Sequence, residues 1–227
     1  MSRFSRWGTH NRVDRRKGKI ATTVREPFSR IVSGYFHRFL GCKSMADKYG
    51  VRRKKKGAPQ ELVDLQHLHW DEIMEMSNAE FLQFVRENYA EGGASIHAFA
   101  QCVGGCQAAI LSGFAPLQDQ CHHPKKTKSE VLKEALRTLD QQVAFVGITD
   151  RWHETATLFL SLFGPDVQIT KESEINVRPS ILEDRQLKHD VLETLKQSGY
   201  RDFVDEAVYS RAVEKFETLQ KAVNLGH

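Results

Sequence analysis

Apolar and polar positions change period several times along the chain, and each change marks an element. Residues 19 to 24, KIATTV, form a β-branched run that reads as a short buried strand. The run ends at Arg25-Glu26-Pro27. Beyond it Phe28, Ile31, Val32, Tyr35 and Phe39 recur at helical spacing, which predicts an amphipathic helix over residues 27 to 39. Pro27 suits the first turn, where its missing N–H costs nothing. Residues 41 to 60 are basic, contain Gly and Pro, and read as a loop. A second helix is predicted from Ser77, with Glu80 three residues on completing a capping box.

Residues 92 to 124 are rich in Gly and carry three of the four cysteines, so irregular structure is expected there, with a short helix around 105 to 111. A helix at about 128 to 139 leads to VAFVGIT, residues 143 to 149, the second clear β-type run. The segment after it places Trp152, Ala156, Phe159, Leu160 and Phe163 on one helical face and stops at Gly164-Pro165. Two further helices are expected at about 181 to 198 and 203 to 223. Two strand-to-helix units separated by helices predict an α/β domain with a parallel sheet. Ligands of such sheets bind beyond the carboxyl ends of the strands, and Arg25 sits at such an end.

Composition narrows the class. With 227 residues, 40% hydrophobic and 27% charged, the chain supports one domain with a real core, taken as residues 1 to 227. No run of about 18 apolar residues exists, and the N-terminal stretch lacks the apolar centre of a secretory signal, so neither a membrane span nor a targeting segment is expected in this chain. Four cysteines, Cys42, Cys102, Cys106 and Cys121, are too few for a disulfide scaffold and leave the compartment open. Charge is uneven: residues 1 to 56 hold 17 Lys and Arg against 3 Asp and Glu, and the remainder 16 against 26. The basic pole, with its N-terminal segment 1 to 18 and loop 41 to 60, favours a polyanionic partner: nucleic acid, anionic glycan, acidic membrane surface or phosphorylated small molecule. Its densest piece, VRRKKKG at 51 to 57, also suits a nuclear localisation signal or a solvated loop.

The chemistry centres on VREPFSRIVS. Arg25 offers a planar fork of donors at a strand tip, suited to bidentate phosphate binding, and Ser33 adds a hydroxyl from the following helix. An anion between them would also feel the positive end of that helix. Equally, Arg25 and Glu26 fit as polar residues of a βα turn and Ser33 as a small residue on a helix flank.

VREPFSRIVSGY resembles the 3′-phosphate-binding motif of sulfotransferases that use 3′-phosphoadenosine 5′-phosphosulfate: an arginine at a strand end, a proline, and a serine eight residues after the arginine. FVGITDRWHETATLFLSLFG is similar to the Val-Gly-x-Thr-Glu segment and following helix of the Golgi carbohydrate sulfotransferases, notably the uronyl and heparan sulfate 2-O branch. DFVDEAVYSRAVEKFETLQ resembles that family's closing acidic-x-x-x-Tyr-x-x-Ala-x-x-x-Phe helix. The resemblance spans about residues 10 to 223.

The resemblance implies a P-loop-NTPase-like parallel sheet flanked by helices, with Arg25 and Ser33 on the 3′-phosphate of the nucleotide. Lys171 and Arg178 would belong to a basic loop closing over the nucleotide. Asp150 stands where the family has Glu, and an acid in a first helical turn explains it too. Arg30 lies inside the motif, and a surface salt bridge accounts for it equally well. The family's glycine- and Ser/Thr-containing loop with a lysine, which cradles the 5′-phosphosulfate, has no counterpart before residue 19. The implied fold is therefore an incomplete version, whose activity depends on that half-site being supplied otherwise.

Sulfuryl transfer to a sugar hydroxyl needs a general base, and histidine suits that role near neutral pH. His10 is the upstream candidate and His97 a lesser one. No metal is required. The acceptor implied is a glycan or another hydroxyl-bearing molecule, anionic in character, in the Golgi lumen, with membrane association only through an anchor this chain does not carry. There some of the cysteines would be joined in disulfides. Two competing readings exist. Cys102, Cys106, Cys121, His122 and His123 supply zinc-type ligands, although C-x3-C-x14-C-H-H fits no common finger closely. The basic front also suits a polyanion- or nucleic-acid-binding module without catalysis. Nucleic acid is the less expected partner, since aromatic interleaving and helix-turn-helix or RNA-recognition signatures are missing.

Overall fold

The computed structural model describes residues 20–38, 70–113, 121, 126–164 and 184–225. Strand β1 (Ile20–Val24) runs into helix α1 (Pro27–Phe36). Then come α2 (Trp70–Glu75), α3 (Asn78–Asn88), α4 (Ile96–Val103), α5 (Cys106–Leu111) and α6 (Lys128–Gln141). Strand β2 (Val143–Ile148) enters α7 (Trp152–Phe163) through one 3-10 turn at Thr149–Arg151. Helices α8 (Arg185–Gln197) and α9 (Phe203–Leu225) follow. Among the described residues, no helix is long and apolar enough to cross a membrane. The expected loop at 41 to 60, like His10, Lys171 and Arg178, lies outside the described residues.

β1 and β2 pair in parallel, from Ala21 opposite Phe145 to Val24 opposite Ile148, with one irregularity between Ile20 and Ala21. The small parallel sheet flanked by helices is the α/β architecture expected from the two strand-to-helix units, and it is consistent with the P-loop-like sheet that the resemblance implies. β2 is the more deeply buried of the two strands, covered at every position except Ala144. Two apolar clusters hold the helices. One gathers α1, α3, α4 and α8 around Ile31, Tyr35, Phe81, Phe99 and Leu195. The other packs α5, α6, α7 and α9 with both strands through Leu139, Ile148, Val208 and Phe216. In the first, the buried Tyr35 hydroxyl donates to the Ala94 carbonyl at 2.6 Å, so its polar tip is satisfied in an apolar surrounding.

Local chemistry sets the boundaries. Ser77 and Glu80 form the capping box predicted at α3, and Thr127 and Glu130 form another at α6. Helix α2 was outside the sequence expectation; the carbonyls of Ile73 and Met74 in its last turn, and of Met76 just beyond it, gather on the Arg38 guanidinium. In the Gly-rich stretch the short helix expected around 105 to 111 is present as α5, and a further helix, α4, stands before it where irregular structure was expected. Ser95 caps α4, accepting from Ala98 N–H. Gly104 ends it, because a Cβ there would lie 2.2 Å from the Tyr200 hydroxyl. Gly105, at φ +76°, starts α5 in a conformation that only glycine adopts without strain.

The helical face read for α7 also needs correction. Its buried residues are Thr155 and Leu158, while Trp152 and Phe163 are exposed. The cause is the Thr155 hydroxyl, which accepts from Ile148 N–H at 2.8 Å and donates to the Ile148 carbonyl at 2.9 Å, turning that side of α7 onto β2. Phe159 stays at the edge of the contact, 5.2 Å from the Phe145 ring.

Arg30 is not at the surface. Its guanidinium donates to the Val103 carbonyl at 2.9 Å and pairs with Asp202 at 3.4 Å and Asp205 at 3.1 Å. The two aspartates also receive the first N–H groups of α5: Gly105 N–H reaches Asp202, and Gln107 and Ala108 N–H reach Asp205. One ion cluster thus joins α1, α4, α5 and the start of α9. Burial pushes the Asp205 carboxyl up to about 6, against the pull of Arg30 and with help from Asp202.

Two outcomes follow for stability. Gly147 has the Thr155 methyl 2.2 Å from where a Cβ would sit, so Gly147→Ala should cost about 1 to 3 kcal/mol in denaturant unfolding. Adding Thr155→Ser, which removes that methyl and keeps the hydroxyl, should recover part of the loss. Asp205, raised from about 3.9 when unfolded, contributes stability that is complete below that value and lost as pH rises through about 6. The difference in unfolding free energy between wild type and Asp205→Asn should therefore change by a few kcal/mol, on the order of two pKa units, between pH 4 and 6.

Candidate active site

The parallel register brings both strands to an end at the same level, so the turns after Val24 and Ile148 lie side by side. Arg25, the first residue beyond β1, is held by its backbone on a side chain from far along the chain. Its N–H donates to Gln107 Oε1 at 2.8 Å, and its carbonyl accepts from Gln107 Nε2 at 2.9 Å. A side-chain amide here takes the place of a neighbouring strand's peptide group. The next backbone N–H, of Glu26, donates to Asp150 Oδ2 at 2.8 Å. Asp150 Oδ1 lies 3.5 Å from Arg25 Nε. The acid at the tip of β2 therefore orients the turn at the tip of β1.

Glu26 folds its own carboxylate back over the start of α1, accepting from Phe28 N–H at 3.0 Å and Ser29 N–H at 2.6 Å. The positive end of α1 is thus already matched to a negative charge. The expectation that a bound anion would share that helix end does not hold in this arrangement. What remains for an anion is side-chain chemistry. The Arg25 side chain is 38% exposed, yet its Nε is buried and makes no hydrogen bond. Ser33 is half-buried two turns into α1, and its hydroxyl has no hydrogen bond to the described residues.

Two more side chains feel the charges at this end of the sheet: Tyr209, the tyrosine of the closing-helix motif, and Lys188, which the sequence did not single out. Tyr209 on α9 is raised in pKa by partial burial and by the negative charges of Asp150 and Glu26, which places its phenol within their field. Lys188, in the first turn of α8, is depressed by burial and by the positive charge of Arg25. Its Nζ lies 5.8 Å from the centre of the Phe36 ring. No periodicity or motif pointed to Lys188, because α8 joins α1 only through tertiary packing.

His97 is engaged within the packing of α4 and α8. Its Nδ1 lies 3.0 Å from Ser198 Oγ, its Nε2 lies 2.7 Å from Gln101 Nε2, and its ring meets Tyr200 edge to face. It links α4 to the end of α8. The zinc alternative loses its thiolates: Cys106 is joined to Cys121, and Cys102 is disulfide-bonded as well. His122 and His123 lie outside the described residues.

The carboxyl end of the parallel sheet thus carries a partly exposed guanidinium, and the Ser33 hydroxyl follows eight residues on in α1. Comparison with curated proteins and with solved structures returns no match. The profile of the sulfotransferase family matches residues 1–204, which takes in both strands, Arg25, Ser33 and Asp150. The chain belongs to the sulfotransferase family, enzymes that transfer a sulfuryl group.

Proposed function

We propose that this chain is a 3′-phosphoadenosine 5′-phosphosulfate-dependent sulfotransferase acting on a hydroxyl of a carbohydrate acceptor. The observation that supports it best is the Arg25 side chain, whose Nε is buried without a hydrogen bond at the carboxyl end of the sheet. Nε lies 3.5 Å from Asp150 Oδ1 without a hydrogen bond, and a phosphate beside the partly exposed guanidinium would add charge-assisted bonds to it. Arg25 and the Ser33 hydroxyl would hold the 3′-phosphate, Arg25 as a charged fork and Ser33 as a neutral donor. The bound nucleotide supplies the sulfuryl group to be transferred.

The protein's share of the work is positioning and charge, as in phosphoryl transfer. Asp150 and Gln107 fix the root of Arg25. Lys171 and Arg178 are proposed to close over the nucleotide, and His10 to accept the proton of the attacking hydroxyl. The sulfur–oxygen bond to the nucleotide breaks as the one to the acceptor forms, and the 5′-phosphate leaves with the electron pair. A basic front of 17 Lys and Arg among residues 1 to 56 suits an anionic glycan. The Cys106–Cys121 disulfide suits an oxidising compartment, and we place the enzyme in the Golgi lumen on that ground and on its resemblance to the Golgi carbohydrate enzymes.

Binding of adenosine 3′,5′-bisphosphate, measured by titration calorimetry alongside heparin and duplex DNA at matched salt, tests this function. Arg25→Ala should weaken the bisphosphate by about 10- to 100-fold, and Ser33→Ala by about 5-fold, in line with a charged and a neutral hydrogen bond. Neither change should affect adenosine 5′-monophosphate. An equal response of wild type and Arg25→Ala to all these polyanions would instead identify a charge-driven binding module.

A further inference from the structure

We propose that Asp150 is a positioning residue for nucleotide binding: its carboxylate holds the Nε edge of Arg25, so that the two terminal nitrogens take the 3′-phosphate end-on. The inference rests on the nucleotide-binding role given to Arg25 and adds how its guanidinium is presented and which residue presents it.

The carboxylate stands on a fixed mount. Val24 lies opposite Ile148, which brings Asp150 level with the turn after β1, and Asp150 Oδ2 accepts from Glu26 N–H of that turn at 2.8 Å. Oδ1 is then set 3.5 Å from Arg25 Nε, the nitrogen of that side chain that is buried without a hydrogen bond. The two terminal nitrogens of Arg25 make no hydrogen bond to the described residues and are not enclosed as Nε is. A guanidinium is planar and rigid, so placing one edge decides the direction of the other. With Nε turned to Asp150, the donors left for a ligand are the terminal pair, spaced to meet two oxygens of one phosphate.

The other polar groups of the turn are committed elsewhere. Gln107 holds the Arg25 main chain through its N–H and its carbonyl. Both oxygens of Glu26 accept from the N–H groups that open α1. Among the described residues, Asp150 is the carboxylate that meets the Arg25 side chain. A carboxylate beside an anion site repels the anion, so its loss would tighten binding if charge were all it contributed. If it positions Arg25, its loss weakens binding although a negative charge is gone.

The test uses the full chain with Asp150→Asn and Arg25→Lys, with thermal unfolding as the control for folding. In Asp150→Asn the side-chain oxygen still accepts from Glu26 N–H, which keeps the turn, while the amide nitrogen faces Nε, donor against donor. Affinity for adenosine 3′,5′-bisphosphate is measured by titration calorimetry for each, and for Asp150→Asn also in the Arg25→Ala background. Asp150→Asn is expected to bind about tenfold more weakly, and Arg25→Lys, which keeps the charge and loses the fork, about as much. In the Arg25→Ala background Asp150→Asn should cause no further weakening, since it acts through Arg25. If Asp150→Asn binds as tightly as wild type or more so while Arg25→Ala loses the bisphosphate, the carboxylate is only a counter-charge and the inference is wrong. It is also wrong if Asp150→Asn weakens both backgrounds alike, or if Arg25→Lys binds as wild type does. Normal binding by Arg25→Ala would instead overturn the nucleotide-binding role itself.

Discussion

Everything at the candidate site depends on two strands ending level with one another. Val24 lies opposite Ile148 in the parallel ladder, so the residues that follow, Arg25 and Glu26 on one side and Thr149 and Asp150 on the other, must meet. Antiparallel pairing would have put one of these turns at the far end of the sheet. The register also decides which chemistry meets. A carboxylate from the second turn accepts the backbone N–H of the first and lies beside its guanidinium, so the turn is tied at two points to a residue more than a hundred positions away. The closeness of α7 to β2 depends in turn on Gly147 and Thr155.

Behind this tip the fold uses charge in a second, structural way. Arg30 and the pair Asp202 and Asp205 sit where α1, α4, α5 and α9 converge, and the same carboxylates take the N–H groups that open α5. A buried ion pair is weak evidence for stability because desolvation offsets attraction. Its value here is that several helix ends are satisfied by one cluster, which leaves few other arrangements of those ends. Since Gln107 lies in α5, the cluster also sets the position of the amide that grips Arg25. The buried Arg30 and the strand-tip Arg25, five residues apart, are linked through one short helix.

The parts legible in the sequence were those governed by local rules. The two β-branched runs, the capping box at Ser77, the glycine stop of α7 and the parallel connection all follow from period, caps and turn residues. Arg25 and Ser33 could be found because eight residues span strand tip and helix in one continuous stretch. What the sequence hid was set by distant packing. The orientation of α7 is decided by one threonine hydroxyl rather than by the width of its apolar face. Helix α4 in the Gly-rich segment was not expected, and Gly104 at its end is required by close approach to Tyr200, a partner not visible in local composition. Arg30 read equally well as a surface residue, since nothing near it in sequence foretold two buried aspartates. Lys188 carries no motif and gains its place only when α8 is laid on α1.

The carboxylate of Glu26 has a consequence for how recognition can change over time. Because this side chain already satisfies the amides that open α1, the main chain has no free charge to offer a ligand there. Under the proposed function, selectivity for the anion is consequently written in exchangeable side chains rather than in the fold itself. A lineage built on this scaffold can strengthen, relax or abolish its grip by single substitutions while the architecture beneath stays as it is.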